Sequence, residues 1–240
     1  MIKAVFFDLY GTLAGFDPPR EEVQTQALES FGFTATKQGI ALGYVSADDW
    51  MSQVNASDTP LSRLQGQEHD HFFAEYQRLI MKGAGIDVGM DTAGQVWAKV
   101  QQIPYSFAAF DDTLPVLDML KLRELTLGLI SNIGRDIDEM CESLSLAPYL
   151  DFTVTSTEVG IGKPHPPVFL KALERAGVAP NEAIHVGDSY RSDVEGARGV
   201  GIRPLLLDRD GVMTDVTDCP RIGSLIEVLN YLDSPADLPQ

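Results

Sequence analysis

Beyond Leu114 the chain alternates between short apolar strands and helical segments, and this alternation limits the possible folds more than any other feature. Helical patterns cover about 114–123, 136–145, 166–176, 193–200 and 222–232. Strand patterns at 126–131, 152–155, 183–186 and 204–207 lie between them. Strands separated by helices form βαβ units, whose right-handed crossovers build a parallel sheet. A further strand opens the chain, the apolar run from Ile2 to Phe7, hydrophobic enough to be covered on both faces. The expected fold class is therefore α/β, with a doubly wound parallel sheet.

Between the first strand and the alternating region, residues from about 18 to 102 read as helices with little strand patterning. Pro18-Pro19 followed by Glu21-Glu22 opens one helix, with proline and acidic residues in its first turn. Further helical patterns cover about 47–55, 68–82 and 92–101. The expected organisation is a helical domain at 15–105 inserted into a core of 1–14 and 106–233, followed by a loose acidic tail at 234–240.

The formal charge of −17 argues against nucleic acid and anionic membrane surfaces as partners, because phosphate backbones are bound by Lys and Arg. A small anionic substrate remains compatible if its site is locally positive. Cys141 and Cys219 lack the spacing of a metal site and are too few for a disulfide framework, so reduced thiols are expected. No separate leader pattern precedes the first strand, and no stretch approaches the ~20 apolar residues that span a bilayer. A cytoplasmic protein, monomer or homodimer, is expected.

The first four strands each run into a chemically loaded loop. The first ends on Asp8-Leu9-Tyr10-Gly11-Thr12, the second on Ser131-Asn132. The third leads to Gly160-Ile161-Gly162-Lys163-Pro164 and the fourth to Gly187-Asp188-Ser189-Tyr190-Arg191-Ser192-Asp193. In open parallel sheets ligands bind outside the carboxyl ends of the strands, which would gather these loops at one edge. There Asp8 is a candidate nucleophile and Lys163 a candidate cation, aimed by the stiff Pro164 and Pro166 that follow it.

In this order and spacing the four loops resemble the four motifs of the haloacid dehalogenase-like hydrolase superfamily. Gly-Lys-Pro-x-Pro-x-x-Phe (162–169) and Gly-Asp-Ser-x-x-x-Asp-x-x-Gly-Ala (187–197) carry most of the resemblance. It implies a Rossmann-like core with an inserted helical cap. It also implies an aspartyl ester formed on Asp8, with Lys163 and Ser131 catalytic and Tyr10, Thr12 and Asn132 meeting the substrate. A Mg²⁺ site would take Asp8, the Tyr10 carbonyl, Asp188 and Asp193. The expected activity is a Mg²⁺-dependent phosphatase acting on a small phosphorylated metabolite.

Tyr10 departs from that pattern. The phosphatases of the superfamily usually carry there a second Asp, which serves as general acid and base. A phenol with an ordinary pKa of ~10 can donate a proton but is a poor base near neutrality. Tyr at this position resembles the dehalogenase branch, whose halide leaves without a proton, so a metal-independent 2-haloacid dehalogenase is the alternative. Against it, that branch carries an early cap arginine, whereas only Lys37 among the basic residues lies between Arg20 and Arg63 here, and Asp188 is retained. A weakened member binding a ligand or a protein partner is a second alternative. Trp50, Trp97, Phe72 and Phe73 are expected in a core, His69 and His71 at exposed positions, and His185 as a satisfied buried histidine.

Overall fold

A computed structural model of the protein describes residues 1–133 and 137–233, and the chain divides into two compact units. One comprises Met1–Gly15 and the chain from Ala108 onward; the other is Phe16–Phe107. The expected tail at 234–240, and the first residue of the helix expected at 136–145, lie outside the described residues.

The first unit is a six-stranded parallel sheet in the order β5-β4-β1-β6-β7-β8. The strands are β1 (Ala4–Phe7), β4 (Thr126–Ser131), β5 (Phe152–Thr155), β6 (Ala183–Gly187), β7 (Arg203–Leu207) and β8 (Arg221–Ile222). Alternate side chains of β1 enter separate apolar clusters. Val5 and Phe7 pack with Leu117, Leu129 and Val186, whereas Ala4 and Phe6 pack with Ile130, Val154 and Phe169. This double coverage is why the strand reads as a continuous apolar run. Helices α5 (Thr113–Lys121), α6 (Ile137–Ser143), α7 (Ser156–Val159), α8 (Pro166–Ala176), α9 (Gly196–Gly199) and α10 (Asn230–Asp233) belong to this unit.

Two expected helices take other forms. The segment expected at 193–200 is a π-helical turn, Tyr190–Glu195, running into α9. The Ser189 hydroxyl caps this turn, accepting from the Ser192 N–H, and the Ser189 N–H donates to the Asp193 carboxylate. The segment expected at 222–232 begins with β8, and a 3-10 turn over Leu225–Leu229 follows before α10. Ser224 and Glu227 cap that turn reciprocally, and the Leu225 N–H donates to Asp112, so the helix is delayed.

The helical unit contains α1 (Arg20–Glu29), α2 (Lys37–Asn55), α3 (Gln67–Gly83) and α4 (Met90–Val100). Strands β2 (Ala14–Asp17) and β3 (Ser106–Ala109), which have no counterpart in the sequence expectation, pair where the chain leaves and rejoins the first unit. Helix α2 starts ten residues before the expected 47, capped by the Thr36 hydroxyl accepting from the Gly39 N–H. Of the glycines that interrupt its first half, Gly43 is required by packing. A Cβ at Gly43 would lie 2.1 Å from the Ile80 carbonyl oxygen, so α2 and α3 meet backbone to backbone. Gly43→Ala is therefore expected to destabilise this unit by about 1–3 kcal/mol in urea unfolding; an unchanged midpoint would mean that the helices separate freely.

The aromatic residues build this unit's interior. Trp50 stacks on Phe72 at 4.5 Å and Phe73 on Trp97 at 4.7 Å, around the buried Ile40, Ile80 and Val96. Both cysteines are free and buried, and burial pushes their thiols up to about 11. Among the described residues no helix is long and apolar enough to cross a membrane.

Candidate active site

The register of the sheet assembles the site. Phe7 pairs with Leu129 on β4 and with Val186 on β6, so Asp8 emerges beside the ends of both neighbouring strands. The Asp8 N–H still donates to the Val186 carbonyl at 2.9 Å, which fixes the backbone under the carboxylate. The chain then folds tightly back on itself, the Leu9 carbonyl accepting from the amides of Thr12, Leu13 and Ala14. Gly11 makes this turn possible, with φ at 82° and a position where a Cβ would fall 2.0 Å from Asp188.

Lys163 lies at the centre. Its ammonium donates to Asp8 Oδ1 at 2.5 Å and to Asp193 Oδ1 at 2.6 Å, with all three side chains buried. Burial pushes the Asp8 pKa up to about 6, Lys163 pulls against that rise, and the neighbouring Asp193 charge adds to it. For Asp193 burial is outweighed by Lys163 and His185, which hold it at about 2. Burial likewise opposes the Lys163 charge, but Asp193 and Asp8 keep its pKa above the ordinary lysine value. The cluster thus holds a firm Asp193–Lys163 pair and an Asp8 whose charge is strained.

His185 is buried behind Asp193, with Nε2 at 2.9 Å from Asp193 Oδ1. Burial lowers its pKa, so the imidazole is neutral and the nitrogen facing the carboxylate carries the proton. The expectation of a satisfied histidine is corrected in one respect: Nδ1 has no hydrogen-bond partner among the described residues. Its sequence signal, a histidine in an apolar strand eight residues before an aspartate, is too common to identify its contact with the site.

Asn132 meets the backbone of the lysine loop. Its amide donates to the Lys163 carbonyl at 3.1 Å and accepts from the Lys163 N–H at 2.7 Å, a two-point clamp that orients the lysine. Both ends of the amide are therefore engaged with protein backbone. Ser131 Oγ accepts the Ile133 N–H at 3.1 Å and, as a hydroxyl, keeps one proton to donate. The buried Thr12 hydroxyl has no partner among the described residues. Tyr10 is half-buried in the Asp8 loop, bridged to Ala14. Outside this group, Arg191 pairs with Glu195 at 3.7 Å, and His69 packs edge-on against Phe73.

Asp8, Asp188 and Asp193 each offer a carboxylate oxygen, and the three oxygens lie within 4.8 Å of one another. Three carboxylates against one ammonium leave a formal charge of −2. An excess of anionic oxygen with a strained Asp8 is the donor set a hard divalent cation takes, so these residues fit Mg²⁺.

A buried aspartate after the first strand, a lysine bridging it to a second aspartate, and a third carboxylate beside them, all at one edge of a parallel sheet, define a hydrolase site of recognisable type. Residues 2–201 match the family described as haloacid dehalogenase-like hydrolase, and the chain belongs to that family of hydrolases. It is 36% identical over 144 residues to haloacid dehalogenase-like hydrolase domain-containing protein 3 of Mus musculus, covering 56% of this chain and 57% of that one. The chain spans about half the length of the first curated relatives it matches. It is also 29% identical over 248 residues to a glyceraldehyde 3-phosphate phosphatase of Methanothermobacter thermautotrophicus, covering 95% and 100% of the two chains. Among solved structures, the 2-haloacid dehalogenase of Pseudomonas syringae shares 26% identity at a TM-score of 0.55, over 97% and 99% of the chains.

Proposed function

We propose that the protein is a Mg²⁺-dependent phosphatase of small phosphorylated metabolites, working through an aspartyl phosphate on Asp8. The observation that carries this reading is the single Lys163 ammonium shared by Asp8 and Asp193, with Asp188 within ligand reach. A dehalogenase displacing halide needs a nucleophile and a cation but has no use for the third carboxylate.

In the proposed reaction Asp8 attacks phosphorus and the bond from phosphorus to the ester oxygen breaks. The alkoxide departs with a proton from Tyr10 or solvent. Water then attacks the phosphorus of the aspartyl phosphate, releasing inorganic phosphate and restoring the carboxylate. Lys163 balances the charge on the transferring group, Ser131 donates to its oxygens, and Asn132 holds the lysine in place. Mg²⁺, held by Asp8, Asp188 and Asp193 with the Tyr10 carbonyl, would supply further charge stabilisation when bound.

Tyr10 favours a second reading, metal-independent hydrolysis of a short 2-haloacid through the same Asp8 ester. Assaying an aryl phosphate and a 2-chloroacid, each with Mg²⁺ and with a chelator, separates the two. The phosphatase reading expects Mg²⁺-dependent phosphate release; chloride release indifferent to the chelator would replace it. Because a phenol cannot serve as the base, Tyr10→Asp is expected to raise kcat on alkyl phosphates by about 10²-fold, within the range general acid–base catalysis contributes. Activity on aryl phosphates, whose leaving groups need less protonation, should gain less. Equal rates for both proteins on alkyl esters would show that proton transfer is not limiting.

A further inference from the structure

The loop that presents Asp8 is held from a part of the chain two hundred residues away. Arg209, two residues beyond β7, donates through Nη2 to the Thr12 carbonyl at 2.9 Å. The same guanidinium makes a forked pair with Asp112, at 2.9 and 3.0 Å, and lies over the Phe110 ring at 4.1 Å. Asp112 is fixed in turn, accepting from the Ser224 hydroxyl at 2.9 Å and the Leu225 N–H at 2.8 Å. One residue along the loop, the Leu13 carbonyl accepts from the Phe110 N–H and from the Thr113 hydroxyl at 2.7 Å. At Gly15 a Cβ would lie 2.7 Å from the Phe110 ring, which is thus enclosed between the loop backbone and the guanidinium. Two segments distant in sequence, the loop after β1 and residues 110–112, meet on one planar cation.

We infer that Arg209 is a positioning residue for catalysis, holding the loop of residues 9–15 so that Asp8 stays aligned with Lys163. A planar fork is suited to this because it engages a carboxylate with two parallel bonds while spending another N–H on a carbonyl. Lysine, a point charge, cannot hold that geometry. Arg209 touches neither Asp8 nor Lys163, so its effect passes through the Thr12 carbonyl and the tight turn back to Leu9. Displacement of a reacting group by ~1 Å can cost ~10²-fold in rate, so a modest loosening here is sufficient to be measured.

The inference rests on the proposed role of Asp8, and its test has one arm that does not depend on turnover. In Arg209→Met, which keeps the apolar stem over Phe110, amide hydrogen exchange should accelerate at Thr12–Ala14 while β1 and β7 remain as protected as in the wild type. On whichever substrate the wild type turns over, kcat should fall by about 10-fold or more with KM within about threefold. Millimolar guanidinium should restore part of the kcat of Arg209→Ala, and Arg209→Lys should remain impaired. A merely structural arginine would give a uniform acceleration of exchange, unchanged kcat per folded molecule and no rescue, and any of these overturns the inference. If the wild type hydrolyses neither phosphate nor haloacid, the proposed function fails, and the exchange pattern alone decides whether Arg209 holds the loop.

Discussion

Asp8→Asn is expected to remove turnover, by about 10⁴-fold or more in kcat, while leaving a protein at least as stable as the wild type at neutral pH. The first half follows from the chemistry, because an amide oxygen is too weak a nucleophile to form the ester. The second half follows from the Asp8 pKa, which burial holds at about 6 even with Lys163 beside it. A group whose folded pKa is raised contributes stability that is complete below its unfolded value. That stability is lost as pH rises through the folded value. At pH 7 the ionised Asp8 is therefore a net strain on the fold, which the neutral amide relieves. The difference in melting temperature, measured with a chelator present, should favour the variant near neutrality and vanish below about pH 4. Residual turnover near the wild-type rate would dismiss Asp8 as nucleophile; a variant less stable at pH 7 would mean that the site does not disfavour the carboxylate charge.

The same site shows what a sequence can and cannot disclose about a structure. The parallel sheet was legible because strands buried on both faces read as apolar runs, as Val5 to Phe7 do and, apart from His185, Ile184 to Val186. The meeting of Asp8 with Lys163 and Asp193 followed from topology, since the loops at the carboxyl ends of parallel strands gather at one edge of the sheet. What stayed hidden depends on contacts distant in sequence. Asn132 faces the Lys163 backbone through a pairing of residues 31 apart, and nothing within either loop encodes it. Helix α2 was only half visible because Gly39 and Gly43 read as interruptions until the close passage of α3 explains the second. β8 is two residues long, below what periodicity can resolve. Arg209 sits between two aspartates, just before a glycine, in what reads as a surface turn.

Removing the central cation should produce the largest loss of stability. Lys163→Met fills the space of the alkyl stem but leaves Asp8 and Asp193 buried without their shared partner. Breaking a buried ion pair in this way costs about 3–5 kcal/mol, because the surviving charges keep their desolvation penalty. The loss should depend on pH in a definite direction. Without the ammonium both carboxyls are desolvated next to each other, so their folded pKa values lie above their unfolded ones. Their protonated forms then stabilise the fold at low pH, and this is lost as pH rises. The gap between wild type and variant in urea unfolding should therefore be small near about pH 4 and widen towards neutrality. Mg²⁺ supplies a second check. A divalent ion bound by Asp8, Asp188 and Asp193 in the folded state alone stabilises that state by mass action. It should raise the melting temperature of Lys163→Met more than that of the wild type, because only the variant lacks any other counter-charge at Asp8 and Asp193. A gap that is constant across pH would show that Lys163 contributes packing rather than charge, and equal Mg²⁺ effects on both proteins would argue that the three carboxylates do not share the ion.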